Sequence, residues 1–366
     1  MAKNRNLNAA AKAKNDEFYT QYNDIQREMN CYYLYDENFL RGKTVLLPCD
    51  DPEWSNFTKF FALNFNIYGL KKLISTSYAA AKKKFIYKPM RSLFDEFDDW
   101  SEPQFDDAKD FTHGRIYTLE QNDIDKVDYA LKALNHWEYL EGDGDFRSAE
   151  VKRLRDEADV IITNPPFSMF REFLTWIMEA GKQFLIIGNL NNATYKTIFP
   201  LFMQNKIWLG NTGGHLWFTV PADYEEKATD FKIDEYGQKW RRMGNIGWFT
   251  NLDLAKRHER LMFMNMEDNI KFNPHVRGVG FPKYDNYDAI EVPYVDAIPG
   301  DYEGVMGVPV TFLSKYNPDQ FEILGHTSSN DLSPAVEALR TDPKNRNRGI
   351  INGQQKYDRI LIRHRR

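Results

Sequence analysis

Cysteine is nearly absent from this 366-residue chain: Cys31 and Cys49 stand alone, so no disulfide framework is available and a reducing cytoplasm is the expected setting. No apolar run approaches the ~20 residues that a membrane-spanning helix needs. The opening stretch MAKNRNLNAAAKAKNDEF is polar and lacks the apolar segment of a secretory signal, so no membrane association is expected. The seven histidines are scattered, and none is spaced with cysteines or carboxylates as a ligand set would be. A metal centre is therefore not expected. What remains is a globular composition, 42% hydrophobic and 15% aromatic, long enough for one large domain with an appendage or for two domains.

The net charge of −5 argues against a polyanionic partner only as an average. Residues 1–14 carry Lys3, Arg5, Lys12 and Lys14 with no acid, and residues 331–366 carry nine Lys or Arg against four Asp or Glu. Between them DEFDDWSEPQFDDAKD (95–110) holds eight acids and one lysine, most simply a solvated loop. The basic ends stay open as contacts for phosphates.

The hydrophobic pattern alternates between strands and helices. KTVLLPCDDP reads as a strand ending in a turn, and WSNFTKFFALNFNIYG after it sets Phe57, Phe60, Phe61 and Phe65 at helical spacing before a glycine stop. KKLISTSY completes a strand, helix, strand unit. Residues 79–115 read as an irregular acidic insertion, GRIYTLE as extended and DKVDYALKALNHWEYL as helical. ADVIITN is a buried strand, with Ser168 placed to cap a helix that carries Phe170, Phe173, Leu174 and Ile177 on one face. KQFLIIGNL repeats the pattern, a helix is expected near 194–204, and KIWLG, HLWFTVP and NIGWFTNLD add strands with less helix between them. Trp217 and Phe218 in HLWFTVP alternate as core residues do. The expected fold is α/β, a Rossmann-like doubly wound sheet over about 16–253 with ligands at the carboxyl ends of its strands. Residues 1–15 form a basic arm, and the loop-rich stretch 254–366 forms a smaller second region. No internal repeat is visible.

Two stretches fall at the carboxyl ends of expected parallel strands: Cys49, Asp50 and Asp51 after the first, and Asn164, Pro165, Pro166 and Phe167 after a later one. Both have plain structural readings. Asn-Pro is an ordinary turn, Asp50 and Asp51 can cap the next helix, Cys49 can fill a core, Tyr19 can pack, and GDGDF around Asp145 is a common turn composition. The chemical reading has a definite logic. An adenine amine is a poor nucleophile because its lone pair is delocalised into the ring. Acceptors on both of its hydrogens draw the nitrogen toward tetrahedral geometry and free the pair. The Asn164 side-chain oxygen and the Pro165 carbonyl can be those acceptors, and Phe167 offers a stacking face. A base reaches such a slot only by leaving the duplex.

These stretches, with DEFYTQYNDI, CDDPEWSNFTKFFALNF, DVIITNPPFSMFREFL, FLIIGNLNNATYK, KIWLG, WFTNLD and KYDRILIRHRR in that order, make the chain similar to the EcoRI-type DNA adenine methyltransferase family along nearly its whole length. The resemblance implies S-adenosylmethionine as methyl donor and an adenine in a short double-stranded DNA site as acceptor. It also implies Phe18, Tyr19 and Thr20 as donor contacts, with Thr20 near the donor carboxylate. By the same resemblance Cys49, Asp50 and Asp51 wrap the methionine part, Asp145 meets the donor's adenine, Asn164 adjoins the donor, and Asn164 to Phe167 form the catalytic motif. Residues 254–366 would recognise the target and 1–14 with 344–366 would contact phosphates. The protein would act as a monomer on DNA, with a cognate restriction endonuclease sharing the site without stable association. Two departures from the wider methyltransferase pattern stand out: the loop after the first strand has no glycine, and KKLISTSY lacks the acid that commonly grips a ribose. Other classes compatible with parts of the pattern are a ribosomal RNA or protein glutamine methyltransferase, which share NPPY or NPPF turns, and a catalytically silent DNA-binding protein. Zinc deaminases, which also flip bases, are disfavoured by the missing His-x-Glu and Pro-Cys-x-x-Cys ligand sets.

Overall fold

The computed structural model describes residues 18–79, 106, 108–110, 112–121, 137–222, 224–327, 333–342 and 348–365. The expected basic arm and most of the acidic insertion lie outside the described residues. The chain divides into two compact units, one of Met1–Leu190 with Thr212–Leu252 and one of Asn191–Asn211 with Asp253–Arg366.

The first unit is built on a mixed sheet. Its strands are β1 (Thr44–Leu47), β2 (Lys72–Thr76), β3 (Arg115–Glu120), β4 (Glu138–Tyr139), β5 (Val160–Thr163), β6 (Gln183–Asn189), β7 (Trp208–Thr219), β8 (Phe231–Ile233) and β9 (Lys239–Thr250). They lie in the order β4-β3-β2-β1-β5-β6-β9-β7, with β8 paired to β9. The β2-β1-β5-β6 centre is parallel. Its strands read as continuous apolar runs because both faces are covered, and β1 and β5 are buried at every residue. Helix α1 (Tyr22–Tyr35) precedes the sheet. Helix α2 (Asn56–Leu63) joins β1 to β2, with Phe57, Phe60 and Phe61 buried as their spacing requires, and Ser55 caps its first turn. Helix α3 (Ala149–Glu157) leads into β5, and helix α4 (Phe170–Glu179) joins β5 to β6. From β1 the chain winds outward to β2, whereas from β5 it winds the opposite way to β6. Right-handed crossovers then place α2 and α4 on opposite faces, and the winding reverses between β1 and β5.

The expected open sheet is corrected at its edges. β3 runs antiparallel to β2, and β9 antiparallel to β6. Of the stretch expected to be helical, residues 125–136 lie outside the described residues, but Glu138–Tyr139 pairs with β3 as a strand. Trp137 there is buried beneath the Arg115 guanidinium, 4.2 Å from its ring centroid. KIWLG and HLWFTVP are parts of one 12-residue strand rather than two. Phe218 is fully buried, and Trp217 beside it is half-buried under Lys232.

The second unit carries a four-stranded sheet in the order β10 (Ile290–Glu291), β11 (Met306–Val308), β15 (Ile360–His364) and β12 (Phe321–His326). Strands β13 (Ile350–Ile351) and β14 (Gln354–Gln355) form a separate hairpin. β15 lies between β11 and β12, antiparallel to both, with Ile360, Leu361 and Ile362 fully buried. The chain's basic end is thus a central strand of this sheet as well as a source of positive charge. Among the described residues no helix is long and apolar enough to cross a membrane, and no group of three or more His, Cys, Asp or Glu is arranged to hold a metal ion.

Candidate active site

The reversal between β1 and β5 brings the two sequence-selected loops to one crevice edge. Past β1 the chain makes the turn Pro48 to Asp50, and the Asp50 amide donates to the Thr76 carbonyl at the end of β2 (2.9 Å). The Ser75 hydroxyl donates to the Asp50 carbonyl (2.5 Å) and lies 2.7 Å from the Thr58 hydroxyl. No residue of this turn needs a positive φ, which explains how the loop dispenses with glycine.

The Asp50 carboxylate is buried, 5% exposed, and accepts from two hydroxyls: Ser55 on Oδ1 (2.6 Å) and Thr163, the last residue of β5, on Oδ2 (2.5 Å). Burial pushes its pKa up to about 7, while those two hydrogen bonds act in the opposite sense and neighbouring Asp51 adds to the rise. Cys49 is half-buried, and burial also pushes its thiol up. Asp51 turns elsewhere: its Oδ1 accepts from the Glu53 amide (2.9 Å), and its Oδ2 lies 3.9 Å from the Arg115 guanidinium, which also pairs with Glu53 and Asp110.

Asn164 follows Thr163 directly. Its Nδ2 donates to the Phe18 carbonyl (2.7 Å) and to the Thr20 hydroxyl (3.2 Å). A carbonyl only accepts, so this partner fixes which end of the amide is nitrogen. Asn164 Oδ1 is buried and has no hydrogen-bond partner. An unpaired buried acceptor costs about 1–3 kcal/mol. In the turn beyond, Met169 N donates to the Pro166 carbonyl (2.9 Å) and Phe170 N to that of Phe167, closing a 3-10 turn over Phe167–Met169. Those bonds begin one residue past Pro165, whose carbonyl the turn does not use. Ser168 lies inside this turn and does not cap α4. The cap position is Met169, with no side-chain bond, because the 3-10 turn feeds straight into the helix.

Residues 18–20 cross the crevice edge as a strap. Tyr19 pairs with Thr219 of β7 (N to O 3.0 Å, and 3.3 Å in return), and Asn56 Nδ2 donates to the Thr20 carbonyl (2.8 Å). Tyr19 presents a 37% exposed side chain, so its pairing is carried by backbone. The Phe18 ring stacks on Phe167, centroids 5.3 Å apart and planes 18° from parallel, while Phe218 meets both rings edge-on.

Asp145 follows β4 in the GDGDF loop. Its carboxylate takes a forked pair from Arg147, Nε to Oδ1 at 2.8 Å and Nη2 to Oδ2 at 2.5 Å, which holds its pKa below the usual carboxylate value. The loop presses on the end of β2: Ala79 N donates to the Asp143 carbonyl (2.7 Å), and Gly144, at φ +79°, packs where a Cβ would overlap the Ser77 carbonyl oxygen. Burial and Asp50 account for most of the rise of the Cys49 thiol pKa, and Asp145 adds to it.

The family model described as adenine-specific methyltransferase EcoRI matches residues 6–365, and Type II methyltransferase M.EcoRI of Escherichia coli is 39% identical over 370 residues, covering 100% of this chain and 98% of that protein. The chain belongs to the EcoRI family of adenine-specific methyltransferases. Type II methyltransferase M.MpnI of Mycoplasma pneumoniae is 33% identical over 367 residues, and M.MgeORF184P of Mycoplasma genitalium 32% over 365, each covering 98% of both chains. No solved structure matches the chain. A methyltransferase of this family needs a methyl donor and a DNA adenine as acceptor.

Sequence reasoning missed Ser55, Thr163, Asn56, Thr219 and Arg147. Ser55 was recoverable, since a serine just before a helical Phe pattern is a cap signal. Thr163 was not, because a β-branched residue closing an apolar strand reads only as strand. Arg147 stands two residues after Asp145, a spacing with no periodic signature.

Proposed function

We propose that this protein transfers a methyl group from S-adenosylmethionine to the exocyclic N6 amine of an adenine flipped out of a short duplex DNA site. The observation that carries the reading is the Asn164 amide, whose nitrogen is spent on Phe18 and Thr20 while its buried oxygen has no partner. An acceptor left bare at the carboxyl end of β5 suits an incoming N–H donor, and the Pro165 carbonyl, outside the hydrogen bonds of the following turn, suits the second amine hydrogen.

S-adenosylmethionine, when bound, supplies a methyl group on a positively charged sulfur. Asp50 and Cys49 would line its methionine portion, Thr20 would meet its carboxylate, and Asp145 would meet its adenine. The acidic side chains of this edge favour a cationic ligand. On the acceptor side, Asn164 Oδ1 and Pro165 O draw on the amine hydrogens and localise the nitrogen lone pair. Positioning then provides most of the acceleration. Phe18 and Phe167 stand 5.3 Å apart, whereas a base between two rings needs about 7 Å, twice a carbon contact distance. The base therefore uses the face of Phe167 turned away from Phe18.

Residues 254–366 read the target site, and the basic segments 1–14 and 344–366 hold phosphates, consistent with the concentration of positive charge there. The enzyme works as a monomer on DNA, alongside a restriction endonuclease that shares its site without stable binding. Expression in a host free of adenine methylation, followed by genome-wide mapping of modified adenines, tests the reading. One short motif modified throughout supports it, and an unmodified genome from soluble, folded protein refutes it.

A further inference from the structure

The orientation of Asn164 matters as much as its presence. Turned by 180° about its terminal torsion, the same amide would offer N–H to an amine hydrogen and aim its oxygen at the Phe18 carbonyl, acceptor against acceptor. Nothing in the loop of Asn164 itself sets the choice. Both partners of Nδ2 come from the strap, 146 and 144 positions earlier in sequence. The strap in turn is held by the Tyr19–Thr219 backbone pair, by Asn56 on the Thr20 carbonyl, and by Gln21 Nε2 on the Tyr19 carbonyl (3.0 Å). The Phe18 ring also braces Phe167, so one residue supports both the acceptor and the stacking face.

We propose that the Phe18–Thr20 strap is a positioning element for the methyl-transfer step, setting the hand of the Asn164 amide so that Oδ1 faces the adenine amine. This rests on the adenine-acceptor role assigned to Asn164 above, and adds to it that residues implied in donor binding also orient the acceptor. Phe18 sets the hand through its carbonyl, which can only accept, and braces Phe167 with its ring. Thr20 anchors the amide through Oγ1, which accepts from Asn164 Nδ2, while its hydroxyl, able to donate as well as accept, leaves the choice of hand to Phe18.

The test uses the full-length enzyme in excess over the target sites of unmethylated genomic DNA, with saturating labelled S-adenosylmethionine, in single-turnover measurements, beside equilibrium donor and DNA binding. Thr20→Val removes the acceptor at nearly constant volume and is expected to slow the single-turnover step about 10- to 100-fold, the cost of a misplaced reacting partner, with DNA affinity unchanged. Thr20→Ser keeps the hydroxyl and restores the rate. Asn164→Asp provides a second route if Thr20→Val fails to fold, since it keeps an acceptor for adenine but sets a carboxylate oxygen against the Phe18 carbonyl. It too is expected to lose at least about tenfold in rate. A Thr20→Val enzyme whose defect vanishes at saturating donor, or an Asn164→Asp enzyme of normal rate, overturns the positioning role. The two readings fail separately: normal turnover by Asn164→Ala removes the acceptor role itself, whereas a dead Asn164→Ala beside normal Thr20→Val and Asn164→Asp enzymes removes only the strap's part in it.

Discussion

Thr163 donates its hydroxyl hydrogen to the buried Asp50 carboxylate across 2.5 Å, and so ties the carboxyl end of β5 to the turn that follows β1. The two loops read from the sequence as separate candidates are joined by this bond. Asn164, the next residue, inherits its place from it.

The Asp50 carboxyl makes folding sensitive to pH. Its ordinary value of 3.8 rises to about 7 on folding, chiefly by burial. Between those values the folded chain holds a proton that the unfolded chain has released, so stability falls as pH rises through the window and levels off above about 7. Asp50→Asn lacks this component. Its melting temperature, measured against the parent's from pH 5 to 8, is expected to improve in relative terms as pH rises. A difference independent of pH would show that Asp50 does not titrate there.

Donor affinity carries the opposite dependence. A cationic donor favours the ionised carboxylate, so binding is expected to tighten as pH rises through about 7, and calorimetry is expected to record proton release. Asp50→Asn flattens the profile and weakens binding. An unchanged profile in the variant would remove Asp50 from the donor site.

Gly144 ties the loop of Asp145 to the end of β2. Its φ of +79° strains any L side chain, and a Cβ there meets the Ser77 carbonyl oxygen. Gly144→Ala is expected to cost roughly 2 kcal/mol of stability by combining backbone strain with overpacking. Chemical denaturation measures this, and donor affinity is expected to fall with it because Asp145 rides on the same loop. A variant with parental stability and affinity would show the loop to be more plastic than its packing implies.

The basic end needs substitution rather than truncation. Removing residues 344–366 would delete β15 from the middle of its sheet, while Arg340 is buried beside Glu337 and Arg359 is half-buried against Glu291. Arg348, Arg363 and Arg365 are exposed. Replacing these three by Gln, and separately deleting residues 1–14, is expected to weaken DNA binding and to flatten the slope of log affinity against log salt by about 0.9 per lost phosphate contact. An unchanged slope would place the phosphate contacts on other residues.

The sequence disclosed the parallel centre of the sheet because strands buried on both faces are written as unbroken apolar runs, VLL and VIIT among them. The antiparallel edges were less visible. β4 is two residues long, and Trp137 takes its place from a cation stacked on it rather than from any local pattern. In the site, Asn164 and Asp50 stood out because polar residues at the ends of such runs are conspicuous. What holds them did not: Thr163 looks like any strand threonine, and the strap reaches Asn164 from far upstream through a carbonyl that side-chain identity does not encode. Ser168 misled for a related reason, since a capping residue type was read where a 3-10 turn makes a cap unnecessary.

The most direct test of the central claim is the single-turnover rate of Asn164→Ala with donor and DNA both saturating. Removing the amide oxygen is expected to lower the rate at least about 100-fold, the usual cost of a lost transition-state hydrogen-bond partner, while donor affinity stays within about threefold. A variant that methylates adenine at close to the parental rate would contradict the account, for the buried oxygen left unpaired at the end of β5 would then have no part in the chemistry.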